Sequence, residues 1–418
     1  MSALPKEYNI TEPVEPFIKS VVNNLVSVSP KNSLTYSQGQ TIEVELPQSQ
    51  WLNPASLSLN YKLLVNTNAA QPSMIGVPAY CAFSKLEVLA DGVIIDCVNN
   101  YNQICQMVVT GTLDVAQKAG NTGYGYASNP YLTDFDGRLF TANLTDTSAD
   151  ATIYLSVPLI ANVIANSTKN LPIFCMPKIT FRFTIGNIND MYVVTATSGT
   201  FTKYEISQFY LSYESSSLGN EVERLVSKSS IKIKSFGYAN SGNTILAGAS
   251  NTQQIVFNAP YASLKAAFLL CTRGNATGSK WGEFSDITNG SGEFQFKIGN
   301  NSLYPQKALS TTFADSSIMN EFKRCMSKIY KTDGKSMCIN STEYGVTINT
   351  LTASTLYYQP GKFIPSYAFN GENTFSDPLT AVIQMNTATL INCNVNLVVC
   401  FDSILNIDPV NKTLSVTK

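Results

Sequence analysis

The chain contains no histidine, and only 14% of its 418 residues are charged. Without imidazole there is no Ser-His-Asp or Cys-His nucleophilic site and no histidine-bearing zinc or iron centre. The charges nearly cancel, 28 Lys+Arg against 29 Asp+Glu, for a formal net charge of −1. A protein that grips nucleic acid by its phosphates needs a basic excess, so direct sequence-specific nucleic-acid binding is not expected. Long apolar runs are missing too. Ala266–Cys271 and Leu159–Ala165, the latter interrupted by Asn162, fall far short of the roughly 18 residues that a spanning helix needs. Pro5 and Glu7 stand where a secretory leader would be basic and then apolar, so no signal peptide is expected.

What is present is apolar and uncharged-polar: 44% hydrophobic residues, with 21 Tyr and 21 Phe but two Trp. A surface so poor in charge is weakly protected against association, which points to faces covered by other subunits. The nine cysteines, Cys81, Cys97, Cys105, Cys175, Cys271, Cys325, Cys338, Cys393 and Cys400, are odd in number and form no CxxC pair. Several lie in apolar runs, as reduced core cysteines do, and no disulfide frame is expected.

Strand periodicity dominates. Ile42, Val44 and Leu46 alternate with polar residues, as do Leu57, Leu59, Tyr61 and Leu63, and Ile179, Phe181, Phe183 and Ile185. Turn signals at Asp91-Gly92, Ser241-Gly242-Asn243 and Pro360-Gly361 space these runs as an all-β sandwich does. Helical spacing appears from Asp315 through Ile318, Met319, Phe322, Cys325, Met326 and Ile329 to Gly334, and more weakly from Tyr101 through Ile104, Cys105, Val108 and Val109. Both helices are expected to pack on their own sandwich.

The order of elements occurs twice. Asn53–Leu57 recurs as Asn258–Leu264, an offset of 207 from Ala55 to Ala262. Lys85–Val88 finds a counterpart in Gln295–Ile298, an offset of 210, and Lys178–Ile185 in Asn394–Phe401, an offset of 216. Long patternless stretches at 118–151 and 331–363 read as interaction loops.

Three groups of residues invite a chemical reading. Gly274–Lys280 has a Ser between Gly278 and Lys280, which breaks the phosphate-loop spacing and leaves a turn. Asp134 and Asp136 before Gly137 start like a calcium loop, but the third ligand and distal Glu are missing and Arg138 adds positive charge. Trp51 and Trp281 with the other aromatics could stack on carbohydrate, although sandwich interiors absorb most such rings. No catalytic, cofactor-binding or metal residue is assigned, and no enzyme activity is expected.

Four stretches resemble a family. Gln40–Pro47 with Asn53–Leu63 resembles the opening strand pair of a jelly roll, and Phe83–Asp96 with Asn99–Asn102 the strand and helix that follow. Glu293–Pro305 is similar to the corresponding stretch of a second jelly roll, and Tyr154–Leu159 with Phe375–Leu379 to the strands before each closing strand. Together they resemble the double jelly-roll major capsid proteins of double-stranded DNA viruses, the lineage of adenovirus hexon, tailless membrane-containing phages, virophages and polinton-like viruses.

The resemblance implies two tandem eight-stranded jelly-roll β-sandwiches with short helices in the loops. The chain would divide into an arm (1–22), a first jelly roll (23–213), a linker (214–223), a second jelly roll (224–407) and a tail (408–418). It implies a homotrimer with a pseudo-hexameric outline, assembled in the host cell interior and located in the virion of an icosahedral virus. Neighbouring capsomers, penton and minor capsid proteins would be its partners, and an underlying membrane or cement layer would meet the arm. Arm and tail are both expected to be ordered only by neighbours. The alternative is an extracellular carbohydrate-binding or glycan-hydrolysing tandem β-sandwich, against which the missing leader and unpaired cysteines argue.

Overall fold

The computed structural model describes residues 22–67, 72–74, 78–113, 151–187, 192–194, 201–218, 223–224, 226–273, 284, 287–288, 292–303, 308–309, 317–331, 363–386 and 392–418. The first half contains β1 (Val22–Val28), β2 (Thr41–Glu45), β3 (Ser58–Thr67), β4 (Phe83–Ala90), β5 (Val93–Asn99), α1 (Tyr101–Thr112), β6 (Ala151–Pro158), β7 (Ile179–Ile185) and β8 (Phe201–Ser217). One antiparallel sheet runs β1-β8-β3-β6 and the other β2-β7-β4-β5. Side-chain alternation makes them face each other. Ile179, Phe181, Phe183 and Ile185 of β7 are at most 2% exposed, while Thr180, Arg182 and Thr184 between them are half-buried. Across the interior, Phe183 meets Phe83 at 5.3 Å and Phe209 at 5.5 Å, and Tyr61 stacks on Phe209. Such aromatic contacts add to the area they bury.

The second half repeats this strand for strand. It consists of β9 (Ile231–Ile245), β10 (Gln253–Phe257), β11 (Leu264–Arg273), β12 (Glu293–Ile298), β13 (Asn301–Ser302), α2 (Ser317–Tyr330), β14 (Ser366–Ala368), β15 (Leu379–Gln384) and β16 (Cys393–Asp408). Its sheets run β9-β16-β11-β14 and β10-β15-β12-β13, the same two orders. Among the described residues each half thus keeps the eight strands of a jelly roll, with a helix between the fifth and sixth.

Along β16, Val395, Leu397, Val399 and Phe401 are buried as expected, and so are Val398 and Cys400. One face of this sheet meets its partner sheet, where Phe401 stacks on Tyr261 and Tyr261 on Phe257 of β10. The other face is covered by α2, where Phe322 meets Phe268 edge-on at 6.0 Å. A strand covered on both faces reads as a continuous apolar run.

The structure corrects five expectations. Ser241-Gly242-Asn243 is no turn but lies inside β9, paired with Leu397, Asn396 and Val395 of β16. Lys178–Ile185 is not the counterpart of Asn394–Phe401: β7 corresponds to β15, and β16 corresponds to β8, because sheet position, not alternation, defines equivalence. Glu214–Ser217 is not linker but the end of β8, held by Val22–Leu25 of β1 on one edge and, through Ser215 and Ser216, by Leu52 and Trp51 on the other. The tail is no loose extension either. A strand β17 (Thr413–Thr417) pairs with β16, and Leu414 tucks into the core at 8% exposure. Last, the two helices pack on each other as well as on their own sandwiches: a Cβ on Gly111 of α1 would lie 2.5 Å from Met326 Cγ of α2. Residues 1–21, which hold most of the expected arm, lie outside the described residues.

Candidate assembly seam

The two sandwiches meet along a buried seam, built chiefly by one loop. After β6 the chain turns sharply at Ala161 (φ +58°), where Asn162 Oδ1 accepts hydrogen bonds from Ile164 N (3.1 Å) and Ala165 N (2.9 Å). An Asn side chain bonding its own backbone fixes such a turn locally. The turn presents Val163 to the second half. Val163 O accepts a hydrogen bond from Ser235 Oγ of β9, Thr168 N and Oγ1 both donate to Lys234 O at 3.0 Å, and Asn166 Nδ2 donates to Phe236 O at 3.0 Å. Edge strands expose unpaired carbonyls, and here the loop of one sandwich satisfies those of the other.

Gly237 explains how Val163 fits. A Cβ there would lie 3.0 Å from Val163 Cγ1 and 2.8 Å from the Phe401 ring. Gly237→Val is expected to destabilise the chain by about 1–3 kcal/mol through overpacking, measured as a lowered denaturation midpoint. An unchanged midpoint would show that the seam has slack at this point.

Polar groups finish the seam. Asn396, 7% exposed, donates from Nδ2 to Gln103 Oε1 of α1 (2.6 Å) and accepts on Oδ1 from Asn100 Nδ2 (3.2 Å). Tyr238 and Tyr330 share a 2.7 Å hydroxyl contact, and burial pushes both phenols well up. Asp96 of β5 is 1% exposed; its Oδ2 accepts from Val163 N at 2.9 Å, while Oδ1 faces Lys418 Nζ at 3.9 Å. Burial lifts its carboxyl to about 6, against the opposing pull of the Val163 amide, Lys418 and the Cys97 amide. In the sequence Asp96 is marked only as the single acid inside the apolar run Val93–Val98.

The outer face of the β2-β7-β4 sheet carries a charge ladder. Arg182 Nε lies 2.7 Å from Glu43 and Nη1 3.5 Å from Glu87, which also pairs with Lys85. The Lys85 ammonium is the first cause holding the Glu87 carboxyl below its usual range.

Of the groups singled out for chemistry, Gly274–Lys280, Asp134, Asp136 and Trp281 lie outside the described residues. Trp51 meets Phe174 edge-on at 5.7 Å and lines an open cleft of about 500 Å³ with Thr168, Lys169, Asn170, Ser216 and Leu218. Among the described residues no three Asp, Glu or Cys side chains gather as a metal site. Of the described cysteines, Cys81, Cys105, Cys175, Cys271, Cys325, Cys393 and Cys400 are buried and Cys97 is half-buried. Large apolar side chains do stand exposed at Leu25, Leu34, Val93, Leu246, Phe375 and Val410.

No family model matches the chain, and no curated protein matches it either. Solved structures do. VP54 of PBCV-1, fitted into a reconstruction of the virophage Sputnik, superposes with a TM-score of 0.61 at 12% identity, over 96% of this chain and 97% of that one. The mavirus major capsid protein gives 0.56 at 10% identity over 100% and 95%. The Sputnik virophage structure gives 0.55 at 11% identity over 100% and 92%. The chain therefore has the double jelly-roll fold.

Proposed function

We propose that this chain is a major capsid protein: a structural shell subunit, not an enzyme, that forms homotrimeric, pseudo-hexameric capsomers of an icosahedral double-stranded DNA virus. The observation that carries this is the strand-for-strand duplication within one chain, joined by a buried seam, in a fold whose solved counterparts are shell proteins. Two like sandwiches per chain give three chains six like units. A six-sided tile packs in a near-planar lattice. The poverty of charge, 14%, supports burial of further surface against other copies and neighbouring capsomers. Penton and minor capsid proteins complete the set of partners we assign, and the virion is the proposed location.

The domains we assign are an arm up to residue 21, a first jelly roll ending with β8 at Ser217, a connection at 218–230 and a second jelly roll that includes the tail strand β17. Analytical ultracentrifugation of the purified chain tests the reading. A species at three times 45.5 kDa, or a larger assembly, is expected; a stable monomer at micromolar concentration would count against it. Removing residues 1–15 is expected to leave the trimer folded and to impair shell assembly against an underlying layer. An unfolded product would place the arm in the core instead.

A further inference from the structure

Because the halves repeat, every group in the seam has a counterpart elsewhere on the chain, and those counterparts can be located by register. Ser56 and Ser263 hold the same place in the repeated Ala-Ser-Leu segment. Glu214 N donates to Ser56 Oγ and Asp402 N to Ser263 O, which equates Glu214 with Asp402 and Tyr213 with Phe401. Tyr213 pairs with Val26 and Phe401 with Gly237. Val26 therefore corresponds to Gly237, Asn24 to Ser235 and Val22 to Ile233. On the loop side, Leu159 N donates to Leu57 O at 2.7 Å and Gly371 N to Leu264 O at 3.2 Å, so Val163 corresponds to Phe375.

The two sets have opposite environments. Val163 is fully buried, and Ile233 and Ser235 beneath its loop are 5% and 4% exposed. Phe375 is 62% exposed, Val22 51%, and Asn24 is exposed as well. Among the described residues β1 pairs only with β8, and none of them covers its outer edge as the Val163 loop covers that of β9. A surface shaped like one side of the seam thus lies open on each half: a strand edge on the first, a loop with an apolar tip on the second.

We propose that a second copy of this chain covers β1, its Phe375 loop lying across Val22 and Asn24 as the Val163 loop lies across Ile233 and Ser235. Val26 fills the hole that Gly237 leaves, so the larger Phe375 ring rests on Val22 and Val26 rather than between them. Each chain carries one such loop and one such strand, so the contact is head-to-tail and either closes into a ring or propagates. This inference rests on the shell-subunit reading and supplies the residues of its intersubunit contact.

The test is cysteine cross-linking in the full chain. Val22→Cys and Phe375→Cys proteins are mixed, dissociated, reassembled and oxidised, with the unsubstituted chain as control for the native thiols. A disulfide-linked species of twice 45.5 kDa is expected only when both variants are present. Phe375→Asp, a change at an exposed site, is expected to keep the melting curve of the parent while reducing the sedimenting mass threefold. If the parent is trimeric, no specific cross-link forms and Phe375→Asp remains trimeric, this contact is wrong while the shell reading stands. A monomeric parent would overturn both.

Discussion

Leu397→Asp is expected to yield no cooperatively folded protein. Leu397 lies in the middle of β16, fully buried between Ser241 of β9 and Leu269 of β11. An unpaired carboxylate there costs several kcal/mol, against a total stability of about 5–15 kcal/mol for a typical domain. The loss is not confined to the second sandwich, because one apolar core runs through Phe401, Val163 and the helix pair into the first. Circular dichroism during heating reads this as a missing transition for both halves together. Gln254→Asp on the exposed face of β10 serves as the control and should melt like the parent. A Leu397→Asp protein with the parental transition would show that β16 is not the strand at the centre of the fold.

Lowering the pH from 7.5 to 5 is expected to raise the chain's stability, and Asp96→Asn is expected to abolish that rise. The Asp96 carboxyl, ordinarily near 3.8, is lifted to about 6 in the folded state by burial. The folded protein therefore takes up a proton that the unfolded chain does not yet hold. The stabilising contribution is complete below 3.8 and is lost as the pH climbs through 6. The whole shift of about two units is worth about 3 kcal/mol, and the part of it between pH 6 and 5, which this change of pH recovers, about 1.4 kcal/mol, as orders of magnitude. Glu45, Glu87 and Asp408 have carboxyls held below their usual values, so their contributions disappear only at lower pH and stay out of this window. The Asn variant keeps an acceptor for the Val163 amide without the charge. Urea denaturation at a series of pH values measures the slope; an Asn variant with the parental slope would assign the effect to another group.

Much of the fold was legible because alternation is a local property. β7 shows its inward face in Ile179, Phe181, Phe183 and Ile185, and α2 shows its apolar stripe from Ile318 to Ile329. Which sheet a strand joins is not local, and that is why alternation alone pairs β7 with β16 where sheet position pairs it with β15. Thr413–Thr417 carries a two-residue alternation in Leu414 and Val416, the local mark of its strand. The seam was hardly legible at all. Gly237 and Asp96 each mean little until the two sandwiches are in place, because their roles depend on Val163, tens of residues away. The repeat itself made the seam's counterparts traceable, since two strands in equivalent positions must either be covered alike or explain why they are not.

Electron cryomicroscopy of the purified full chain tests the central claim most directly. The account predicts particles with three-fold symmetry and six similar lobes, each lobe an eight-stranded sandwich, with the intersubunit contacts placed where the Val163 seam repeats. Single two-lobed particles, a two-fold dimer or an open filament would contradict it.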